Sequence, residues 1–463
     1  MEGHKPFFIW LTNEGGNMFQ KLFKLSEKKT SVKTEVLAGI TTFLTMAYIL
    51  GVNPGMLSSA GMDSNSVFLA TAIASGVACI LMGLLANYPI ALSSGMGINA
   101  FFTYTCVIQY GFTYHEALAT VFLSGLIFFI FSITGLRKTI INAIPSNLKF
   151  AIGAGIGFFI AFIGLGNAGI IVSNSATKVA LGNLVNPTVL LSIFGIFVTV
   201  ALIGKKIHAA TFYGLLITAI LGVVLGLIGV QGMPSIPTSI VSFNFSMPTA
   251  FAFIEGLKTV FTKPEAFMVI FTFLFIDFFD TAGTLVGVCN RIGLVDKNGD
   301  MENIDKALLA DSVGTMVGAA LGTSTITSFV ESTAGVESGG RTGLTAITTG
   351  LLFFLAIFFM PLLAVVNAIP VGDAFLSPVT SPALIIVGIL MSVQLKQIEW
   401  DKFEVAASAF ITILLMILSY SIAVGIAAGF LFYTISSITS GKSKNISPII
   451  YALDIVFIIY FIL

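Results

Sequence analysis

The chain has 463 residues, of which 56% are hydrophobic and only 10% are charged. A soluble domain carries about a quarter charged residues, so this composition excludes a water-soluble globular protein. The 22 basic and 22 acidic residues balance, and this net charge by itself identifies no class of partner. We therefore expect an all-α polytopic membrane protein.

The chain begins with a segment unlike the rest. Residues 1–17 lack an apolar core and a small-residue cleavage site, so they predict no secretory signal peptide. A Lys-rich amphipathic stretch follows Met18, and we expect translation to begin at that residue. The whole of 1–33 is predicted to be a cytoplasmic N-terminal segment.

Apolar runs separated by helix breakers predict fourteen membrane crossings, many near the ~20 residues that span a bilayer. The predicted spans lie at 36–52, 66–86, 89–108, 116–136, 148–170, 187–204, 209–230, 266–290, 308–322, 323–343, 344–368, 377–395, 403–420 and 421–439. The apolar tail at 446–463 contains Pro448 and Asp454, so it predicts an interfacial segment and not a fifteenth span.

Basic residues concentrate in alternate loops. The opposite loops hold only Lys178, Lys258 and Lys263 of the 22 basic residues. This is the positive-inside pattern, which indicates an even number of spans with both termini in the cytoplasm.

Two halves of the chain share short motifs in the same order. Leu69–Ala70 and Ser93–Gly95 reappear, offset by 240 residues without a gap, as Leu309–Ala310 and Thr333–Gly335. The sequence NAIP occurs at 142–145 and again at 367–370. Each half then holds about seven spans, and an odd number inverts the second copy. Inverted repeats are typical of transporters whose site lies near mid-membrane, although small-residue motifs also recur by chance.

Two predicted spans have an unusual composition. The segments 89–104 and 323–343 are rich in Gly, Ser and Thr, which favours backbone that is partly extended and partly helical. Extended backbone at membrane depth is tolerated only where it is buried or lines a cavity, and a following helix N-terminus adds partial positive charge. Tight packing through small residues is the alternative.

Small-residue packing does not explain the ionisable residues of the second segment. Glu337 and Arg341 lie four apart and predict a structural ion pair on one helix face. Glu331 has no such close partner in the sequence. Because charge within a span is costly and usually marks a pathway, Glu331 is the stronger functional candidate.

Asp277 and Asp280 form another pair, one helical turn apart within a predicted span. Two carboxylates this close in a low dielectric are not both ionised, so we expect one to hold a proton, as proton coupling requires. The alternatives are a helix cap for Asp280 and a hydrogen bond to Ser or Thr for Asp277. Asn99 offers a donor and an acceptor to a ligand, or ties two helices together.

Other chemistries lack support in the sequence. The three cysteines and three histidines have no metal-ligand spacing and form no catalytic constellation, so we expect no enzyme and no cofactor beyond a coupling proton. The loop 296–305 fails as a calcium loop because glycine is at its fourth position. A phosphate-binding GxxxxGK[ST] motif is missing from the sequence, which leaves a secondary transporter.

Five motifs, in chain order, resemble the AzgA-type purine permeases, a branch of the nucleobase–ascorbate transporter superfamily. They are TEVLAGITTFLTMAYILGVNP (34–54), GMGINAFFTY (95–104), FDTAGTLVGV (279–288), ALLADSVGT (307–315) and ESTAGVESGGRTGL (331–344). The resemblance covers nearly everything after Met18. It implies two inverted seven-span repeats, a short β-strand at the start of spans 3 and 10, a homodimer, and a core domain that slides against a gate domain as an elevator.

The same resemblance implies a domain layout. Spans 1–4 and 8–11 would form the core, and spans 5–7 and 12–14 the gate. The expected ranges are 34–138 (core) and 139–230 (gate) for the first repeat, 231–265 for an extracellular linker, 266–369 (core) and 370–440 (gate) for the second repeat, and 441–463 for the C-terminal interfacial segment.

The resemblance also implies residue roles. Asp280 and Glu331 would bind the base, with Asp277 and Asn99 at other important positions. Asp277 and Glu331 would handle the coupling proton. The remaining expected lining residues are Ala100, Phe101, Phe329 and Val330, and the candidates for stacking on the base are the pairs Phe101–Phe102 and Phe278–Phe279.

Together these patterns predict a proton-coupled importer of purine nucleobases in the cell membrane, with hypoxanthine and guanine favoured. Adenine is the nearest alternative substrate. An anion transporter on the same fold is disfavoured by the acidic site, and a channel or structural protein by the broken, inverted spans. We expect the lipid bilayer and a second copy of the chain as partners, and no nucleic acid.

Overall fold

A computed structural model describes residues 20–134, 144–237, 239–292, 294, 301–372 and 374–462, with the side chains at 279, 282, 286, 290, 291, 445 and 460 outside the description. Several sequence predictions therefore fall outside the described residues. They are the start at Met18, residues 142–143 of the first NAIP copy, the loop residues 296–300 and the ring of Phe279.

The first half of the chain is mainly helical. Its elements are α1 (Val32–Met46), α2 (Ile49–Ser58), α3 (Ser64–Leu81), β1 (Leu92–Ser94), α4 (Met96–Ala100), α5 (Tyr114–Thr134), α6 (Ser146–Asn167), β2 (Ile171–Asn174), β3 (Lys178–Leu181), α7 (Pro187–Gly204) and α8 (Ala210–Leu227). π-Helical turns extend α3 over Met82–Ala86 and α4 over Phe101–Gln109.

The second half continues in the same manner. Its elements are α9 (Phe253–Thr259), α10 (Ala266–Arg291), α11 (Ile304–Leu321), β4 (Ile326–Ser328), α12 (Ser332–Glu337), α13 (Gly343–Ala356), β5 (Ile369–Val371), β6 (Ala374–Leu376), α14 (Ser381–Met391), α15 (Phe403–Leu418), α16 (Ile422–Thr439) and α17 (Pro448–Ile462). 3-10 turns extend α9 (Val260–Thr262), α13 (Ile357–Val365) and α14 (Ser392–Gln397), and another lies at Ser443–Asn445.

The helices are those of a polytopic membrane protein. Nine helices in the described part of the chain are long and apolar enough to cross a bilayer, and three more apolar helices are shorter. The segments 89–108 and 323–343 are not continuous helices, since each contains a three-residue strand followed by a short helix. The count of fourteen spans and their orientation stay predictions.

The two strands inside these segments pair with each other. β1 and β4 are antiparallel, with Leu92 opposite Ser328 and Ser94 opposite Ile326. All six strand residues are buried. Because α4 follows β1 and α12 follows β4, the two short helices leave the ladder at opposite ends.

The structure corrects one part of the predicted repeat. α3 and α11 begin 240 residues apart, in agreement with the match of Leu69–Ala70 to Leu309–Ala310. The match of Ser93–Gly95 to Thr333–Gly335 is wrong, because Thr333–Gly335 lies in α12, whereas Ser93 pairs with Thr327. The π-helical turn and loop between α3 and β1 are longer than the connection between α11 and β4, so the strands are offset by 234 residues.

Close packing against α1 fixes the position of α12. A Cβ atom added to Gly335 would lie 2.0 Å from Oγ1 of Thr42 and 2.8 Å from the carbonyl oxygen of Ala38, both on α1. Glycine therefore allows the two helices to approach at backbone distance. This contact brings the start of α12 beside the C-terminal end of α1.

The C-terminal apolar tail forms α17, which packs on α16. The rings of Phe430 and Phe457 lie 5.3 Å apart between these helices. Asp454 is buried in α17. An interfacial position for this helix stays a prediction.

Candidate functional site

Glu331 lies immediately before α12, where that helix meets α1. The hydroxyl of Tyr48 donates a hydrogen bond of 2.6 Å to Oε1 of Glu331, and Tyr48 is only 2% exposed. Glu331 has no close partner along the sequence, but the fold supplies Tyr48 as one. Sequence reasoning missed Tyr48 because 283 positions separate the two residues. The second carboxylate oxygen, Oε2, receives no side-chain donor among the described residues.

Asp280 faces Glu331 from α10. The two carboxylates interact electrostatically, and Asp280 is partly accessible. Within the described part of the chain, the Asp280 carboxylate makes no hydrogen bond or ion pair. The structure thus brings together the two acids that the family resemblance singles out, and both keep acceptor oxygens free for a ligand.

Asp277 is directed into the interior between α10 and α11. It is 1% exposed, and its Oδ2 accepts a hydrogen bond of 3.0 Å from Thr315. Its Oδ1 is buried and has no hydrogen-bond partner in the described residues. Such an oxygen is costly unless it is protonated or contacts a ligand. Asp277 also interacts electrostatically with Asp280 and Asp311.

Asp311 on α11 is an acidic residue of this region that the sequence analysis did not select. It is fully buried, and Oγ1 of Thr281 lies 2.9 Å from both of its carboxylate oxygens. The same Thr281 hydroxyl lies 2.8 Å from Oγ1 of Thr327 in β4. A signal was available, because Asp311 is ionisable and lies within a predicted span.

Asn99 on α4 presents an unpaired donor. Its Oδ1 accepts a hydrogen bond of 2.8 Å from Ser94 at the end of β1. Its Nδ2 is buried and has no partner among the described residues. A buried amide N–H without an acceptor costs roughly 1–3 kcal/mol, so a polar ligand is the natural acceptor for this group.

The predicted aromatic residues pack against other rings. Phe101 and Phe102 are fully buried and contact the ring of Phe273 at centroid distances of 4.9 and 6.4 Å. Phe278 packs on Phe128 at 5.9 Å. These contacts account for their burial without a ligand, and a stacking role stays a prediction.

The other predicted lining residues differ in exposure. Ala100 is fully buried, Phe329 is 6% exposed and Val330 is 52% exposed. Val330 therefore lies where the region around Glu331 opens outward.

The helical spacing proposed for Glu337 and Arg341 is wrong. α12 ends at Glu337, and Gly339 has φ +107°, so the chain turns before Arg341. Nη1 of Arg341 donates instead to the carbonyl oxygens of Val336 at 2.6 Å and Gly340 at 2.7 Å. An ion pair between Glu337 and Arg341 stays a prediction, but the four-residue helical spacing no longer supports it.

A cavity of about 40 Å³ elsewhere in the described structure is not lined by Asp277, Asp280, Asp311 or Glu331. It lies between α2, α6 and α14, and Met56, Asn167 and Thr380 contribute to its wall. Ligand pockets typically measure about 300–1,000 Å³, so this cavity is too small for a heterocyclic base. The assignment of the site therefore rests on the acids and Asn99.

A family model described as the Permease family, the xanthine/uracil permeases, matches residues 33–428. The chain belongs to this permease family. The guanine/hypoxanthine permease PbuG of Bacillus subtilis is 50% identical, with 95% of this chain and 98% of PbuG covered. The adenine permease AdeP of Escherichia coli is 39% identical, with 96% of each chain covered.

Solved structures with low sequence identity share the fold. The transmembrane domain of the cyanobacterial bicarbonate transporter BicA matches with a TM-score of 0.59 and 15% identity, covering 86% of this chain and 96% of that domain. The murine anion transporter Slc26a9 matches with a TM-score of 0.61 and 12% identity, covering 95% of this chain and 73% of the other. The chain is thus a permease with a helical polytopic transporter fold, and it is not an enzyme.

Proposed function

We propose that this permease imports purine nucleobases, with hypoxanthine and guanine preferred, by proton symport. The observation that carries the proposal is the pair Asp280 and Glu331, whose free carboxylate oxygens lie near the paired strands. The relatives PbuG and AdeP are named as a guanine/hypoxanthine permease and an adenine permease, which supports the same class of ligand.

The polar groups suit a 6-oxopurine. Such a base carries ring N–H donors, which Asp280 and Oε2 of Glu331 accept as charge-assisted hydrogen bonds. It also carries a carbonyl oxygen, which accepts from the buried Nδ2 of Asn99. With Oδ1 of Asn99 engaged by Ser94, the free end of the amide is a donor, which favours the 6-oxo group over the 6-amino group of adenine.

The arrangement of acids suits proton coupling. Asp280 interacts with both Glu331 and Asp277, and Asp277 interacts with Asp311 as well. Full ionisation of this group in a low dielectric is strongly unfavourable, so a proton bound by Asp277 reduces the repulsion while Asp280 and Glu331 stay charged to accept the N–H groups of the neutral base. The buried Oδ1 of Asp277, which has no partner among the described residues, is a suitable atom for this proton.

Acidity also argues against an anion as substrate. The solved structures of similar fold are named as a bicarbonate transporter and an anion transporter. Their sequences are only 12–15% identical to this chain, so the similarity concerns the fold alone. A site with four neighbouring carboxylic acids repels a bicarbonate-sized anion unless most of the acids are protonated.

The proposed mechanism is an elevator motion with the predicted core and gate ranges, 34–138 with 266–369 and 139–230 with 370–440. In this mechanism β1, β4, α4 and α12 move together, since the β1–β4 ladder and the α1–α12 contact at Gly335 bind them into one unit. The small cavity between α2, α6 and α14 would widen as the two domains separate. Cytoplasmic termini and a homodimer complete the proposal.

Uptake of labelled bases tests the proposal. Cells without their own carriers are given hypoxanthine, guanine, adenine or uracil, with and without a protonophore. We expect saturable uptake of hypoxanthine and guanine that the protonophore abolishes. Failure to take up any purine would refute the substrate class, and uptake insensitive to the protonophore would refute the coupling.

A further inference from the structure

The segment before α1 is docked onto the protein by buried side chains. Phe23 is 1% exposed and Leu25 is fully buried, and both pack with Leu344 of α13. Asn87 connects the same parts, because its Nδ2 donates to the carbonyl oxygen of Phe23 at 3.1 Å and its Oδ1 accepts from the N–H of Gly343 at 2.8 Å. The segment is therefore held in a defined place.

This docking creates a cavity of about 230 Å³ between the N-terminal segment, the end of α10 and the turn after α12. Its lining residues are Glu27, Lys28, Lys29, Ile292, Leu294 and Arg341. Among the described lining residues, three cationic side chains and one carboxylate give a net positive charge.

Arg341 is oriented for anion binding. Its Nη1 donates to the carbonyl oxygens of Val336 and Gly340, which leaves the edge formed by Nε and Nη2 without a partner in the described part of the chain. That edge of a guanidinium matches two oxygens of a phosphate as a bidentate pair.

The buried acid Glu35 makes no ion pair with this guanidinium among the described residues. Glu35 accepts the backbone N–H groups of Arg341 at 2.9 Å and Thr342 at 3.2 Å, and it accepts the hydroxyl of Thr345 at 2.5 Å. Its carboxylate is therefore occupied at the start of α13. Lys28 and Lys29 make no ion pair with any described residue, so their ammonium groups are also available.

We propose that this cavity, lined by Lys28, Lys29 and Arg341, binds a phosphate group. Ile292 and Leu294 form an apolar part of the wall, which suits the glycerol and first acyl carbons of a phospholipid. The cavity also lies on the face that the basic-residue pattern predicts to be cytoplasmic, where basic pockets meet anionic lipid headgroups. The two sources of the phosphate are an anionic lipid headgroup and free phosphate from the cytoplasm.

Binding measurements on the full chain test this site. The purified protein is offered phosphatidylglycerol or phosphatidylcholine in nanodiscs, with retained lipid counted by native mass spectrometry. Labelled inorganic phosphate is offered separately by equilibrium dialysis. The test variant is the double substitution Lys28→Gln/Lys29→Gln. We expect it to weaken binding by roughly 10- to 30-fold, since each basic residue near a membrane surface contributes to anion attraction.

The chain offers a matched control in Lys205→Gln/Lys206→Gln. Lys205 and Lys206 are exposed and lie on the same predicted side of the membrane as the test pair. The two pairs also match in backbone conformation, because each contains one residue with positive φ, +52° at Lys29 and +55° at Lys206. We expect this variant to bind like the wild type. The single variants Lys28→Gln and Lys29→Gln, with intermediate losses, keep the test valid if the double variant is unstable.

The outcomes separate the two sources. Variant-sensitive retention of phosphatidylglycerol without phosphate binding supports the lipid, and variant-sensitive binding of inorganic phosphate supports the soluble source. Equal binding by wild type and test variants for both probes would overturn the proposal, as would equal losses in the test and control variants.

Discussion

The hydrogen bond between Tyr48 and Glu331 predicts a specific loss of base affinity in Tyr48→Phe. The substitution removes one hydroxyl, and the ring keeps its packing because the site is only 2% exposed. The lost bond is 2.6 Å long and reaches a carboxylate oxygen. A hydrogen bond to a charged group contributes about 1.5–3 kcal/mol, so loss of the oriented carboxylate weakens binding by roughly 10- to 150-fold.

The assay is equilibrium binding of labelled hypoxanthine to purified protein, with thermal unfolding measured alongside. Tyr88→Phe is the matched control, because Tyr88 is also 2% exposed and its hydroxyl donates to the carbonyl oxygen of Glu302. We expect Tyr88→Phe to keep wild-type affinity. Unchanged affinity in Tyr48→Phe, or an equal loss in both variants, would show that Tyr48 does not orient a binding carboxylate.

Three further substitutions test the geometry. Asn99→Ala removes the buried Nδ2 that has no partner among the described residues, together with the Oδ1 that accepts from Ser94, so we expect hypoxanthine affinity to fall about tenfold or more with only a small change in melting temperature, because the relief of one unpaired group offsets the loss of one hydrogen bond; a large loss of stability would contradict this. Gly335→Ala places a Cβ 2.0 Å from Oγ1 of Thr42, so we expect lost uptake, whereas Gly55→Ala, with nothing within 4 Å, should transport normally; equal uptake by both would refute the packing argument. Asp277→Asn should retain base binding but lose the response of uptake to an imposed proton gradient, and a normal response would remove Asp277 from the coupling.

Local sequence patterns predicted the membrane class and the two unusual segments. The Gly-, Ser- and Thr-rich composition of 89–104 and 323–343 indicated partly extended backbone, and β1 and β4 lie within these segments. The pairing register was not predictable, because it depends on the different lengths of the connections that precede the strands.

The candidate site was also only partly predictable from the sequence. The energetic cost of placing a charge in a bilayer, together with the family motifs, indicated Asp280 and Glu331. These two residues interact in the structure. The Tyr48 contact depends on how α1 and α12 pack, and spacing along the chain contains no such information. The helical spacing for Glu337 and Arg341 failed because it ignored the turn at Gly339.

The most direct test of the central claim is isothermal titration of hypoxanthine into the wild type and into Asp280→Asn and Glu331→Gln. Both substitutions keep side-chain shape and remove the charge that accepts the N–H groups of the base. The account predicts measurable binding to the wild type and a loss of at least about 100-fold in each variant, since charge-assisted hydrogen bonds in a buried site are the strong ones. Wild-type affinity in both variants would contradict the assignment of Asp280 and Glu331 as the binding pair.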